Sequence, residues 1–215
     1  MKLKHFINLH KGLTALVVFG LMVGYQNYLV GSWVYLALHG TYGLMWLLKD
    51  RVYPDKQWEE VASLPTGILI LVVLAAYWVA PWLLISRGID VPPALIGLAV
   101  ALTVTGCVLH YSADAQKYFT LKYQPGLITE GFFARCRNTN YLGEILIYLG
   151  FALLAMHPLP LVILAGFVLV IFLPNMRKKD QSLSRYPEFE AYKASSGLLW
   201  PKFWNSPAEE TQPEL

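Results

Sequence analysis

Charge vanishes from the chain over Gly12–Leu48, Val61–Ser86, Val91–Ala113 and Ile145–Met176. A helix takes roughly 20 apolar residues to cross a bilayer core. The first of these stretches would run about 55 Å as one helix at ~1.5 Å per residue, which suits two spans rather than one. Gln26-Asn27-Tyr28 and Gly31-Ser32 supply the polar break between them. In the last stretch His157, Pro158 and Pro160 fall near the middle, and proline there marks a tight turn. The pattern predicts six spans near Leu13–Tyr28, Ser32–Leu48, Thr66–Ile85, Pro93–Tyr111, Asn140–Met156 and Leu159–Leu173. The proline turn makes the last two an antiparallel hairpin.

The composition agrees. Hydrophobic residues make up 56% and charged residues 14%, with 17 Lys+Arg against 14 Asp+Glu and a net charge of +3. Disordered chains need lower hydrophobicity. A nucleic-acid binder needs a basic face, so no nucleic-acid partner is expected. The two cysteines, Cys107 and Cys136, can neither staple a secreted scaffold nor form a four-cysteine zinc site. No His, Cys or carboxylate cluster has metal-ligand spacing, and no Walker A or Gly-x-Gly-x-x-Gly loop occurs. The basic N-terminus and the apolar run after it have the form of a signal peptide. No small-x-small cleavage site follows, so the run reads as the first span.

With six spans both termini share one side, and every basic residue except Arg87 falls there. The positive-inside rule places that side in the cytoplasm, of a bacterial inner membrane or the endoplasmic reticulum. The fold class is thus an all-α polytopic integral membrane protein with a cytoplasmic polar cap. One membrane domain covers residues 1–204, with the cap near 110–144 and 175–204. An acidic tail at 205–215 is expected to fray.

Ionisable groups inside a bilayer are costly and call for a reason. Asn140, Glu144 and Tyr148 recur at i, i+4 and i+8 and share a helix face, with Tyr141 beside them. Glu144 either serves a site or pairs with a basic neighbour near the interface. His39, Tyr42 and Trp46 form a second such stripe. His39 and Tyr42 can hydrogen-bond a substrate carbonyl, or bond one helix to another. The loop from His110 to Asn140 begins as a helical continuation of span four, turns at Gln124-Pro125-Gly126, and brings Arg135 and Arg137 to the start of span five. Such residues suit an anionic ligand and equally suit a solvated positive-inside loop. After span six, Pro187 is expected to divide the charged segment 175–193 into two short helices. Leu198, Leu199, Trp200, Phe203 and Trp204 then read as an interfacial anchor.

Gly131-Phe132-Phe133 followed by Arg137-Asn138-Thr139-Asn140-Tyr141-Leu142-Gly143-Glu144 resembles the C-terminal signature of the steroid 5-alpha-reductase superfamily, which includes sterol reductases. Asn140-Tyr141-Leu142-Gly143-Glu144 is its most specific part. Asp114-Ala115-Gln116-Lys117 is similar to a segment that contacts the nicotinamide cofactor in sterol reductases. Tyr186-Pro187-Glu188-Phe189, with Tyr192-Lys193 and Pro201, is similar to the terminal stretch of that family. The likeness covers a little under half of the chain, from about His110 to Phe203.

The resemblance implies an NADPH-dependent reductase of an activated carbon–carbon double bond in a sterol-like or isoprenoid lipid drawn from the bilayer. It places Asp114, Lys117, Arg137, Asn140, Tyr141, Glu144, Lys179 and Asp180 at or near the cofactor, and makes Glu144, with His39 and Tyr42 as carbonyl donors, the catalytic candidates. One departure stands out: Arg137-Asn138-Thr139 occupies the place of the Arg-His-Pro of many relatives. A similar Arg-His-Pro-x-Tyr element occurs in isoprenylcysteine carboxyl methyltransferases, so a methyltransferase using S-adenosylmethionine on a membrane-embedded substrate is the alternative. A non-catalytic lipid-binding protein of the same fold is the third reading. The sequence leaves the oligomeric state open.

Overall fold

Helices form along each uncharged stretch of the computed structural model, which describes residues 1–203. Trp204 of the expected anchor and the expected fraying tail lie outside the described residues. In chain order the helical segments are α1 (Leu3–Gly24), α2 (Val30–Val52), α3 (Leu64–Ser86), α4 (Pro93–Tyr123), α5 (Thr139–Leu154), α6 (Pro158–Leu183) and the short α7 (Phe189–Ser195). No strand occurs among the described residues. Helices α1, α3, α4 and α6 are each long and apolar enough to cross a membrane. Helix α5 is apolar but only 16 residues long, and α2 carries Lys49, Asp50 and Arg51 in its last turns.

The helix ends follow local chemistry. Ser63 caps α3 by accepting from the Thr66 N–H, with Pro65 in the first turn, where its missing N–H costs nothing. The imidazole of His157 accepts from Leu159 N–H at 3.1 Å and opens α6 at the expected proline turn. Asn27 closes the turn between α1 and α2. Its amide donates to Ile85 O at 2.8 Å and its carbonyl accepts from Ser32 Oγ at 3.1 Å.

Prolines also shape the helix interiors. Pro81 deprives the Tyr77 carbonyl of a partner, and α3 tightens to a 3-10 turn over Ala76–Trp78. Pro174 does the same to the Val170 carbonyl, and α6 widens to a π turn over Val168–Phe172. Neither proline ends its helix. Two helices outrun the expected spans, α1 beginning at Leu3 rather than Leu13 and α6 running to Leu183 rather than Leu173, while α4 continues to Tyr123 as the expected helical extension of span four. Charge marked the edge of the apolar run, but backbone hydrogen bonding continues through charged residues.

The tightest packing joins α4 to α5. A methyl group built on Gly143 would lie 2.5 Å from His110 N and 2.6 Å from Gly106 O. One on Gly106 would lie 2.5 Å from Gly143 O, and one on Gly150 2.8 Å from Ala99 O. These small residues let the two backbones touch, as in membrane helix pairs generally. Helix α1 meets α2 similarly, with Gly43 against the Lys11 carbonyl.

Alternating helix directions collect the charged ends on one side of the bundle. There Met1 and Leu3 pair with Ala62 and Glu60, and Lys2 and Lys4 both bind Glu59. Hydrogen bonds from these two ammonium groups hold the Glu59 carboxyl down to about 2. The stretch after α7 packs on this side too. Gly197 exchanges backbone hydrogen bonds with Arg135 and Arg137, and Asn138 Nδ2 donates to Leu198 O at 2.9 Å. This stretch is therefore more than the expected interfacial anchor, although Trp200 and Phe203 are exposed. Arg137 is its keystone, with Nε and Nη2 on Asp180 at 2.9–3.1 Å and Nη1 on Ser196 O at 2.5 Å. Arg137→Ala removes one partner of a nearly buried pair, a change that costs about 3 kcal/mol or more. Limited proteolysis should then cut residues 196–203 well before the helices. Unchanged protection of that stretch would show that Arg137 does not hold it.

Candidate functional site: a cleft between an apolar wall and a charged end

A cleft of about 380 Å³ runs between the helices from an apolar side to the charged end. Leu69, Val73 and Leu74 of α3 and Phe167 and Ile171 of α6 line the apolar side. The polar end is built by Lys49 of α2, His110 and Asp114 of α4, and Asn140, Tyr141 and Glu144 of α5. A second recess of about 410 Å³ shares Lys49, Asp55 and Asp114 with the cleft and adds Tyr53, Lys117 and Lys122.

Asp114 organises the polar end. It is nearly buried and receives Lys49 Nζ at 2.6 Å, Asn140 Nδ2 at 3.1 Å and, more distantly, Lys117 Nζ at 3.9 Å. His110 Nδ1 lies 3.0 Å from Asn140 O, across the close α4–α5 contact. Lys117 reaches over to Asp55 at 3.3 Å, which ties the loop before α3 to the end of α4. Two atoms in this network are buried without a hydrogen-bond partner, Asn140 Oδ1 and His110 Nε2. Their side chains line the cleft, so a bound molecule can supply what they lack.

Glu144 lies half-buried one turn further along α5. Its carboxylate makes no side-chain hydrogen bond or ion pair with the described residues, and its charge acts on the Lys11 ammonium. Lys11 is 3% exposed and lines the same cleft. Its ammonium donates to Tyr148 Oη at 2.5 Å and Tyr42 Oη at 3.3 Å, and stands over the rings of Tyr42, Trp46 and Tyr148 at 4.4–5.1 Å. Such a cage favours a cation away from water.

Four of the sequence candidates, Asp114, Asn140, Tyr141 and Glu144, thus meet in one cleft. Lys117 lies in the adjoining recess. Arg137, Lys179 and Asp180 gather beside it, with Lys179 Nζ on Arg137 O at 2.6 Å and Arg137 on Asp180. Arg137 and Lys179 line a smaller recess of about 70 Å³ together with Lys117. His39 and Tyr42 do not line the cleft. His39 is 1% exposed, bonded to Tyr35 Oη at 3.1 Å and stacked on Phe151 at 4.3 Å. Tyr42 stands behind Lys11. Of the stripe they form with Trp46, only Trp46 lines the cleft, while His39 and Tyr42 face the bundle core.

Lys11, Lys49 and Tyr77 are among the cleft residues that were not singled out for it from sequence. Both lysines counted only as markers of topology, because charge near a span end ordinarily reaches water. The nearest signal was that Trp46 falls three residues before Lys49. Tyr77 carried none.

The sequence model of a family described as proteins of unknown function (DUF1295) matches residues 28–196. The chain belongs to that family. No curated protein matches it. Helix α1, and Lys11 with it, precedes the matched residues.

Proposed function

We propose that the protein is a membrane-embedded reductase that uses NADPH to reduce an activated carbon–carbon double bond in a sterol-like or isoprenoid lipid. One observation carries this reading: a single cleft joins an apolar wall to a charged end holding Asp114, Asn140, Tyr141 and Glu144, four of the eight residues that the steroid-reductase likeness assigns to the cofactor. An apolar cleft with a few convergent polar groups is the usual form of such a site.

The donor set fits a reduced dinucleotide. Asn140 Oδ1, buried without a hydrogen-bond partner, suits the carboxamide of a nicotinamide, and beside it His110 Nε2 lies 4.0 Å from Asp114. Lys49, Lys117 and Lys122 in the adjoining recess suit its phosphates, with Arg137 and Lys179 close by. When bound, the cofactor supplies a hydride. The residues of the chain do the rest. Asp114 keeps Lys49, Asn140 and Lys117 in place, and the closed α4–α5 contact excludes water from their backs. Glu144 faces the cleft at the junction of its polar and apolar parts. Asp180 fixes Arg137, and Tyr42, with His39 beside it, braces Lys11. In this reading six helical segments cross the bilayer, α2 and α5 as the shorter or more polar spans. Both termini are then cytoplasmic by the positive-inside rule, and the lipid enters from the bilayer.

The test uses the detergent-purified full chain in a thermal-shift titration with NADPH, NADH and S-adenosylmethionine. A ligand at about 100 times its dissociation constant adds roughly 2.7 kcal/mol to stability. A reduced nicotinamide should raise Tm and S-adenosylmethionine should not. In Glu144→Gln the unliganded Tm should stay within about 1 °C, because no hydrogen bond or ion pair is lost, while the NADPH shift falls by more than half. A shift with S-adenosylmethionine alone would overturn the reductase in favour of a methyltransferase. A full NADPH shift in Glu144→Gln would remove Glu144 from the site.

A further inference from the structure

Segment 53–63 joins α2 to α3 across the charged end and stands between the cleft and the adjoining recess. Asp55, Gln57 and Trp58 line the cleft, and Tyr53, Pro54, Asp55 and Lys56 line the recess. No residue of its 3-10 turn, Lys56–Glu59, is buried. With so little of it packed away, the segment depends on charge and on backbone hydrogen bonds. At the α3 end the first four residues of the chain strap it down. Leu3 N donates to Glu60 O and Ala62 N to Met1 O, both at 2.9 Å. Glu59 receives Lys2 Nζ at 2.6 Å and Lys4 Nζ at 2.5 Å. At the α2 end Lys117 Nζ of α4 donates to Asp55 Oδ2 at 3.3 Å.

The Asp55 carboxylate stands where an anion would. The recess gathers Lys49, Lys56, Lys117 and Lys122 against Asp55 and Asp114. Lys49 is matched by Asp114 at 2.6 Å, whereas Lys117 lies 3.9 Å from Asp114 and closer to Asp55. The Lys117 and Asp55 side chains are 32% and 18% exposed, so a solute can reach the pair. A phosphate brings more charge than a carboxylate, and three acceptor oxygens. On Lys117 it would share one ammonium with Asp55, and the like charges repel. The same carboxylate also caps the turn, its Oδ1 accepting from Gln57 N–H at 3.4 Å. A displaced Asp55 therefore takes Gln57 and Trp58 with it, away from the cleft they line.

We infer that segment 53–63 is a lid on the polar end of the cleft, latched by Asp55 in the place of a phosphate on Lys117, and that a phosphate-bearing ligand opens it by taking Lys117. The strap on Glu59 keeps the lid attached as it moves. Phosphates dock in the recess first, and the rest of the ligand follows into the opened cleft. The inference rests on the reductase reading for the identity of that ligand. The latch itself follows from the charges.

The experiment reads hydrogen–deuterium exchange by mass spectrometry on the detergent-purified full chain, with inorganic pyrophosphate as the probe. Saturating pyrophosphate should quicken exchange over 53–63 about fivefold, the effect of losing one partly exposed ion pair, and leave α4 and α5 unchanged. Asp55→Asn removes the charge and keeps the cap, because asparagine caps as well as aspartate. Without pyrophosphate this variant should exchange as fast as the wild type does with it, and pyrophosphate should add nothing. Glu59→Gln is the control. It loosens the strap and leaves the latch, so pyrophosphate should still quicken exchange. Protection of 53–63 by pyrophosphate, no response in the wild type, or slow exchange in Asp55→Asn overturns the inference. The NADPH thermal shift on the same preparation tests the reductase separately. A shift with no quickening by pyrophosphate defeats the lid alone. Quickening with no shift sustains the lid and defeats the reductase.

Discussion

Asp114→Asn is expected to be the most damaging conservative substitution in the polar end, lowering stability by about 3–5 kcal/mol and abolishing cofactor binding. The amide is isosteric and keeps a partner for Asn140. What it loses is the charge that faces Lys49 at 2.6 Å, where both side chains are within 5% of complete burial. A cation left in such a place is uncompensated, and breaking a buried pair from one side costs this much. Asp114 also touches Asn140 and Lys117, so a loosened Asp114 releases the floor of the cleft. The double variant Lys49→Met, Asp114→Leu should recover most of the stability, because a well-packed apolar pair replaces a buried ion pair at little net cost. It should not recover NADPH binding. Denaturant titrations of the single and double variants in detergent measure both parts. A loss below about 1 kcal/mol in Asp114→Asn would mean that Lys49 finds water.

The second large effect concerns a glycine. Gly143→Ala adds one methyl group, yet its Cβ would meet three atoms of the α4 backbone, His110 N, Gly106 O and His110 Cα, at 2.5–2.9 Å. Backbone cannot step aside as a side chain can, so the helices must part. Overpacking costs about 1–3 kcal/mol, and this site belongs at or above the upper end. The separation would also stretch the His110–Asn140 and Asn140–Asp114 hydrogen bonds, so binding should fall along with Tm. Gly97→Ala on α4 and Gly166→Ala on α6 are the controls, since nothing lies within 4 Å of a methyl group at either position. They should be neutral or slightly stabilising, by the helix propensity of alanine. Equal effects at Gly143 and Gly97 would contradict the close α4–α5 contact.

Gly143 also shows what the sequence could and could not convey. It sits inside Asn140-Tyr141-Leu142-Gly143-Glu144, and the resemblance made the whole run a cofactor signature. In three dimensions the run divides by side. Asn140, Tyr141 and Glu144 face the cleft, and Gly143 faces α4. Helical spacing predicted the shared face of Asn140 and Glu144 because that relation is local. The partner helix is a long-range relation, and no periodicity in one segment names it. Lys11 and Lys49 illustrate the same limit. A lysine near a span end can snorkel to water or turn inward. The choice depends on whether aromatic rings and a carboxylate wait inside, here Tyr42, Trp46 and Tyr148 for Lys11 and Asp114 for Lys49. His39 and Tyr42 went the other way. Their stripe was correctly placed on one face, but α1 and α5 cover His39 and Tyr42 on it, and Lys11 and Tyr148 pack against these two. The helix positions were the most legible feature, since charge-free length is written directly in the chain. Their ends were less so, because helical hydrogen bonding runs on past the apolar residues, back from Leu13 to Leu3 and through Pro174 to Leu183.

In the proposed reaction a hydride passes from a reduced nicotinamide at the polar end to a lipid lying along the apolar wall. The most direct measurement mixes the detergent-purified protein with cholestenone and NADPH deuterated at the transferable position, then reads the mass of the extracted lipid. The account predicts a saturated ketone carrying one deuterium, on the carbon β to the carbonyl, and loss of that product in Glu144→Gln. Recovery of cholestenone unchanged, with a methyl group transferred to a lipid when S-adenosylmethionine is supplied instead, would contradict it.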